Sequence, residues 1–414
     1  MSPYDNPNEL LRNARNRPGV VALADVIHQF ETGDSEQRRM AIETLLLIGN
    51  DKPERIEAAM TDIEPLLNAD DTDLRTATAH LIATVTAEHP ERVIPLVPAI
   101  IDRLDDTVTV RDDLARALAH IARVSPDDVV SAVSSLEDYL DSELPFLRKH
   151  AVDAISGVAR ELPSEVTPLV PALIEVLANR PDTIPGETLT EIDTPQMRRE
   201  LQRREAQTRV RSEACRQTAA LTLAEIGETH PDTLVKHISR FVNILKTETT
   251  PDIRAPIIDL CGRIAQEHPT DASLTIEPLG NILLESDHTT VQATTAWTLG
   301  ILADEYPVAV AAATRPALPT LVDLLGENLY TNGAVTGLLA YVAEQYPEAV
   351  KPTVPALLEL IDDEHNSVRG GVVWTLGFVG GDDAIDALET VKETDPDSVV
   401  RQAASEALQY ANDE

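Results

Sequence analysis

"PERVIPLVPAIIDRLDDTVTVRDDLARALAHIARVSP" occupies residues 90–126 and holds one full period of the chain. Its first fifteen residues are amphipathic at helical spacing, and "DDTVTV" is an acidic turn. From Arg111 a second stretch sets Leu114, Leu118 and Ile121 on one helical face. The prolines at its two ends recur as Pro53, Pro90, Pro126, Pro163, Pro231, Pro269, Pro307 and Pro347. Their spacings are 37, 36, 37, 68, 38, 38 and 40, so one period of about 37 runs through the chain. The single gap of 68 marks an insertion of 31 residues. Two amphipathic helices per period are predicted, each second helix stopped near a proline.

A second ruler fixes the register. Arginine opens the second helix at Arg38, Arg75, Arg111, Arg148, Arg216, Arg254, Arg369 and Arg401. Seven positions on, each is followed by Leu, Ile or Cys, while Gln292 and Asn332 take the arginine's place in two further repeats. A two-helix unit cannot bury its apolar face alone, so neighbouring units must stack. The pattern L-x-x-L-x-D-x-x-x-x-V-R-x-x-A-x-x-x-L-x-x-I resembles the HEAT-repeat family, an armadillo-like α-solenoid, over about residues 20–412. The resemblance implies an all-α, right-handed superhelical solenoid of about ten repeats, with second helices on the concave surface. It also implies a hydrogen-bond ladder between the turn aspartate and the repeat arginine, with Asp105–Arg111, Asp363–Arg369 and Asp395–Arg401 at the required spacing of six. Family-typical prolines, Pro98, Pro171, Pro319 and Pro355, are expected to kink the first helices. The last repeat, 32 residues on from its predecessor, resembles the compact lyase-type variant. Residues 1–19 read as a polar segment with a short helix.

Composition describes the solvent better than the partner. Seventy acids face 34 bases, of which 28 are arginine and six lysine, for a net charge of −36. Acidic excess with scarce lysine is the texture of halophile proteins. At molar salt the Debye length is about 3 Å, which abolishes long-range steering. No apolar run is long enough to span a membrane, and "MSPYDNPNELLRNARNRPG" lacks the apolar core of a secretory signal. A cytoplasmic protein is expected, with Cys215 and Cys261 as buried thiols.

Signs of catalysis are sparse. Phosphate-loop, dinucleotide-loop and GxSxG motifs do not occur, nor do HExxH or paired CxxC, so neither cofactor nor metal is expected. His89, His230 and His268 precede repeat prolines and read as helix-end residues. Paired acids such as Asp70–Asp71 and Asp382–Asp383 fall in turns.

The solvent-facing columns of the second helices carry more information. Five and nine positions after the column residue they are polar and varied in most repeats. In repeats 7–9 they turn apolar: Trp297, Ile301, Tyr341, Trp374 and Phe378. Both tryptophans of an aromatic-poor chain lie in this set, and exposed aromatics mark recognition surfaces. Packing of the rings against neighbouring first helices is the competing expectation.

The insertion, about residues 179–212, begins turn-rich and becomes arginine-rich. Thr194 as cap and Pro195 start a helix predicted to run unbroken into the second helix of repeat 5. Arg198, Arg199, Arg203, Arg204, Arg209 and Arg211 make it a candidate arm, partly neutralised by Glu200–Arg204 and Glu205–Arg209 pairs. Docking of this arm on its own chain or a second subunit is expected ahead of nucleic acid, because phosphate binding weakens steeply with salt. The sequence thus reads first as a non-enzymatic scaffold or adaptor for a partner peptide or helix. A nucleic-acid-associated protein comes second and a lyase-type enzyme third.

Overall fold

The computed structural model describes residues 7–52, 54–180 and 195–411. Among them the backbone is helix and short connections, with no strand. Helices come in pairs, and the second member of each pair is continuous. We number only these: α1 (Ser35–Asp51), α2 (Thr72–Glu88), α3 (Val108–Ile121), α4 (Pro145–Ala159), α5 (Pro195–Thr229), α6 (Pro251–Glu267), α7 (Thr289–Ala303), α8 (Leu329–Gln345), α9 (Asn366–Val379) and α10 (Ser398–Ala411). The chain forms two compact units, Met1–Thr222 and Leu223–Glu414, divided within α5.

In the first unit, helix Pro7–Asn16 packs on α1 and buries Leu10, Leu11 and Ala14. Pro53, residues 181–194 and the proposed Thr194 cap lie outside the described residues. From Pro195 the helix α5 runs 35 residues without interruption, about 52 Å at 1.5 Å per residue. In the second unit the same pairing runs from the C-terminal part of α5 to α10.

Proline shapes the first members of the pairs. At residues 90–101 two 3-10 turns, Pro90–Arg92 and Ile94–Leu96, precede the helix Val97–Ile101. At Pro163–Ala178, Pro307–Asp323 and Pro347–Leu358 a short α-helix and a single 3-10 turn precede the final helix. Pro98, Pro171, Pro319 and Pro355 each sit in the first turn of the final segment, where a missing N–H costs nothing. The break therefore lies in the 3-10 turn before these prolines. Between α9 and the last pair no proline is present. There Gly380 and Gly381 turn the chain at φ 64° and 93°.

The core follows the register. Leu45, Ile82, Leu118, Ile155, Leu223, Cys261 and Leu376, seven positions beyond the repeat arginines, are fully buried, and Leu408 nearly so. Buried threonines interleave with them. Thr44, Thr78, Thr86, Thr295, Thr336 and Thr375 each donate to the carbonyl four residues earlier, at 2.6–2.8 Å. That bond satisfies the hydroxyl and allows it into the core.

Four arginines of the column tie the start of the second helix to the turn before it in one way. Arg75 donates to the carbonyl of Ala69 at 2.8 Å, Arg148 to Ser142 at 3.1 Å, Arg369 to Asp363 at 2.7 Å and Arg401 to Asp395 at 2.5 Å. Every acceptor lies six residues upstream. The two departures keep the bond: Gln292 donates to the Ser286 carbonyl at 2.5 Å, and Asn332 accepts from the Gly326 N–H at 2.8 Å.

Rungs between repeats form where the next turn supplies a partner. Arg369 grips the buried Asp395 carboxylate through two nitrogens at 2.7 and 2.9 Å. Asn332 lies near enough to Asp363 to help hold its carboxyl below the usual range, and Arg38 lies 3.8 Å from Asp71. Arg75 binds Asp106 at 2.9 Å. The carboxylate in that turn is thus Asp106 and not Asp105, which is exposed. Asp106 is turned inward because its carboxylate also caps the Thr107 N–H. Arg111 meets the ring of Tyr139 at 5.5 Å instead of a carboxylate. Arg216 donates to the Leu177 carbonyl at 2.8 Å, across the insertion, and Arg254 to Leu245 at 3.5 Å.

Replacing Arg369 with Met would leave Asp395 buried without its counter-ion and cost about 3–5 kcal/mol in urea unfolding. Arg369→Gln, which can still reach the Asp363 carbonyl as Gln292 reaches Ser286, would cost less. The guanidinium holds the Asp395 carboxyl below its ordinary 3.8, so the ion pair contributes fully above that pH. Its contribution disappears as pH falls through the lower folded-state pKa, and the difference between wild type and Arg369→Met should narrow there.

Candidate functional site

The solvent-facing sides of the second helices differ chemically between the two units. In the first unit they are charged. On α2 and α3, His80 lies 3.5 Å from Asp113, which also accepts from Arg116. On α3 and α4, His150 lies 3.5 Å from Asp112, and Lys149 bonds Asp153 at 2.6 Å. Burial pushes the His150 imidazole down to about 4 and, with Asp113 beside it, raises the Asp112 carboxyl. These groups pair with one another along the stack.

In the second unit the corresponding face loses its charge. Helices α7, α8 and α9, of 15, 17 and 14 residues, carry two charged side chains between them, Glu344 and Arg369. Arg369 is buried in its pair with Asp395, whereas a quarter of the whole chain is charged. Trp297, Ile301, Tyr341, Trp374 and Phe378 occupy this face, and each is half-buried. The rings lean on neighbouring second helices. Trp297 lies over Gly262 of α6, where a Cβ would come within 2.6 Å of the indole. The Tyr341 hydroxyl donates to Asp304 at the end of α7, and burial together with that carboxylate pushes its pKa up to about 12.

Trp374 stacks on Phe378 at 5.9 Å between centroids. Tyr410 of α10 closes the group at 5.2 Å from Phe378 and 6.3 Å from Trp374. Tyr410 remains 55% exposed, so the cluster reaches solvent. It stands in the same column as Phe378, and the sequence signal for it was that column. Tyr330, at the start of α8 and 51% exposed, lies outside the two columns and had no such signal. The structure thus brings Trp374, Phe378 and Tyr410 into one cluster, with Trp297, Ile301 and Tyr341 on the adjoining helices.

The insertion arm contributes Arg199, Arg203, Arg204, Arg209 and Arg211 to the surface, all exposed. The side chains of Arg198, Glu200 and Glu205 lie outside the described residues. Arg211 is near enough to Asp112 to lower its pKa against the effect of burial.

One group among the described residues could hold a metal: Asp232, Glu267 and His268, with ligand atoms within 4.8 Å of one another. His268 already pairs with Asp232 at 2.6 Å, across adjacent repeats, and both carboxylates are exposed. An ion pair between repeats accounts for this geometry. Two clefts, of about 440 and 230 Å³, are lined by Arg369 with Asp395 and by Arg254 with Glu285. Both lie over the column residues that join repeats, away from the aromatic face.

A family model described as HEAT repeats matches residues 318–409, the stretch carrying Tyr341, Trp374 and Phe378. No curated protein sequence matches the chain. A solved structure in which Kap95p binding induces the switch loops of RanGDP to adopt the GTP-bound conformation is similar in fold. The identity is 14% and the TM-score 0.55, over 99% of this chain and 53% of that one. The chain therefore spans about half the length of that relative. The architecture is an all-α solenoid of the HEAT type, a fold typical of protein-interaction scaffolds. No helix among the described residues is long and apolar enough to cross a membrane.

Burial raises the thiols of Cys215 and Cys261 to about 11 and 12. At pH 8 neither should react with Ellman's reagent in the native protein, and both should react on unfolding. Reaction of the folded protein would show that one of them reaches solvent as a nucleophile.

Proposed function

We propose that this chain is a non-enzymatic scaffold or adaptor whose protein partner docks on α7–α9. The observation that carries the reading is the partly exposed set Trp297, Ile301, Tyr341, Trp374 and Phe378 on helices almost free of charge. In a surface otherwise clothed in carboxylates, an uncharged aromatic face costs solubility, and its retention fits a face that is covered by a partner. The acidic, lysine-poor composition and two unpaired buried thiols support a setting in a reducing, salt-rich cytoplasm.

A second reading places nucleic acid on the exposed arginines of α5. It is supported by the outward placement of Arg199, Arg203, Arg209 and Arg211. High salt weakens such contacts in proportion to the phosphates engaged, whereas apolar docking is strengthened by excluded salts.

Alanine at both Trp297 and Trp374 should remove a partner captured from high-salt lysate by more than tenfold, with helical circular dichroism unchanged. Loss of helicity together with capture would show that the rings serve packing. Co-elution that survives this change but is abolished by nuclease would favour the arginine arm.

A further inference from the structure

Glycines in the second helices fall into two kinds. At Gly49, Gly157, Gly227, Gly262, Gly371 and Gly377 a Cβ would meet a neighbour at 2.4–2.7 Å, so close packing within the chain requires glycine. At Gly300, Gly333, Gly337 and Gly370 a Cβ would meet nothing within 4 Å. All four lie on α7, α8 and α9, among the aromatic residues. Each weakens its helix relative to alanine, and no intramolecular crowding accounts for it.

Their register describes a trough. Counting from Gln292, Asn332 and Arg369, Gly300 is at position 8, Gly337 and Gly333 at 5 and 1, and Gly370 at 1. The line crosses three neighbouring helices on a diagonal of roughly 20 Å, given helix spacings of about 8–10 Å. Trp297 leans away from it onto Gly262, and Trp374 leans away toward Phe378 and Tyr410. The floor is partly exposed glycine backbone, free of charge. At its C-terminal side stand the exposed carboxylates Asp304, Glu305 and Glu344, beside the negative ends of α7 and α8.

We propose that this trough receives an α-helix of a partner protein, with an apolar ridge laid over Gly333 and Gly337 and a lysine or arginine at the acidic rim. The proposal rests on the reading of α7–α9 as a docking face and adds the shape and charge of what docks. Glycine at positions 333 and 337 lets two helix backbones approach closely, and a stretch of about 14 residues spans the diagonal at 1.5 Å each. An extended segment needs side-chain pockets and would gain little from a bare backbone floor. The acidic rim selects cationic flanks, acting at short range in salt.

The test uses the full-length protein in molar potassium chloride. A display library of lysine-flanked helices of about 14 residues, with the apolar stripe randomised, is panned beside a matched library carrying a central proline. Binding of the selected peptides is titrated by intrinsic fluorescence, for which Trp297 and Trp374 are the chain's two tryptophans. The expected result is binders from the helical library alone, weakened more than tenfold by Gly337→Leu. Gly337→Ala should weaken them less while raising the melting temperature. Circular dichroism of both variants excludes misfolding.

Equal recovery from the proline library, recovery from neither, or indifference to Gly337→Leu would overturn the helix proposal. The docking reading has a separate outcome: natural-partner capture lost in the Trp297/Trp374 variant but kept in Gly337→Leu preserves docking and rejects the helix.

Discussion

A side chain closed onto the backbone six residues upstream is the constraint on which the rest of this molecule depends. A helix pair in a repeat stack has one strong interaction, apolar burial, and burial is indifferent to small slides of one helix along the next. The bonds from Arg75, Arg148, Arg369 and Arg401 to upstream carbonyls fix where each second helix begins. With the start fixed, Ile82, Ile155 and Leu376 are fully buried in their repeats. The rungs from Arg75 to Asp106 and from Arg369 to Asp395 then join one turn to the next. Because these carboxylates are buried, the rungs work as specificity devices, costly to break from one side.

The sequence made the repeat legible because both rulers report chemistry that cannot easily be exchanged. Proline opens helices where no N–H bond is needed, and the column side chain reaches the backbone of the preceding turn. Gln292 and Asn332 looked like departures in a column defined by residue type, yet they are members of a column defined by the bond. Asp106 shows the opposite failure. A fixed spacing of six selected Asp105, but which of two adjacent carboxylates turns inward is decided by the local cap on Thr107. Counting cannot detect such a choice between neighbours.

The candidate surface was partly legible for a similar reason. Five and nine positions beyond the column residue, Trp297, Ile301, Tyr341, Trp374 and Phe378 stood out against polar equivalents. Whether those rings would be exposed or packed depended on their neighbours. They turn out to lean on second helices and keep part of each side chain in solvent. The two kinds of glycine could not be separated from sequence at all. Gly370 and Gly371 are adjacent, yet a Cβ on one meets open space and on the other meets Thr336 of α8 at 2.6 Å.

That adjacency also relates stability to function within one fold. Glycine where helices touch improves packing, since a methyl group there would force them apart. Glycine facing outward weakens its own helix and returns nothing to the isolated chain. The charges follow the same division. On α3 and α4 the outward side chains pair among themselves, as Lys149 does with Asp153. On α7–α9 charge is withdrawn, rings lean aside and four glycines have open space where a Cβ would stand. Each of these features is a loss for a solitary molecule, and each becomes favourable when an apolar partner covers the face. Their coincidence on three consecutive helices supports the proposed docking face more directly than the net charge of −36, which salt screens beyond about 3 Å.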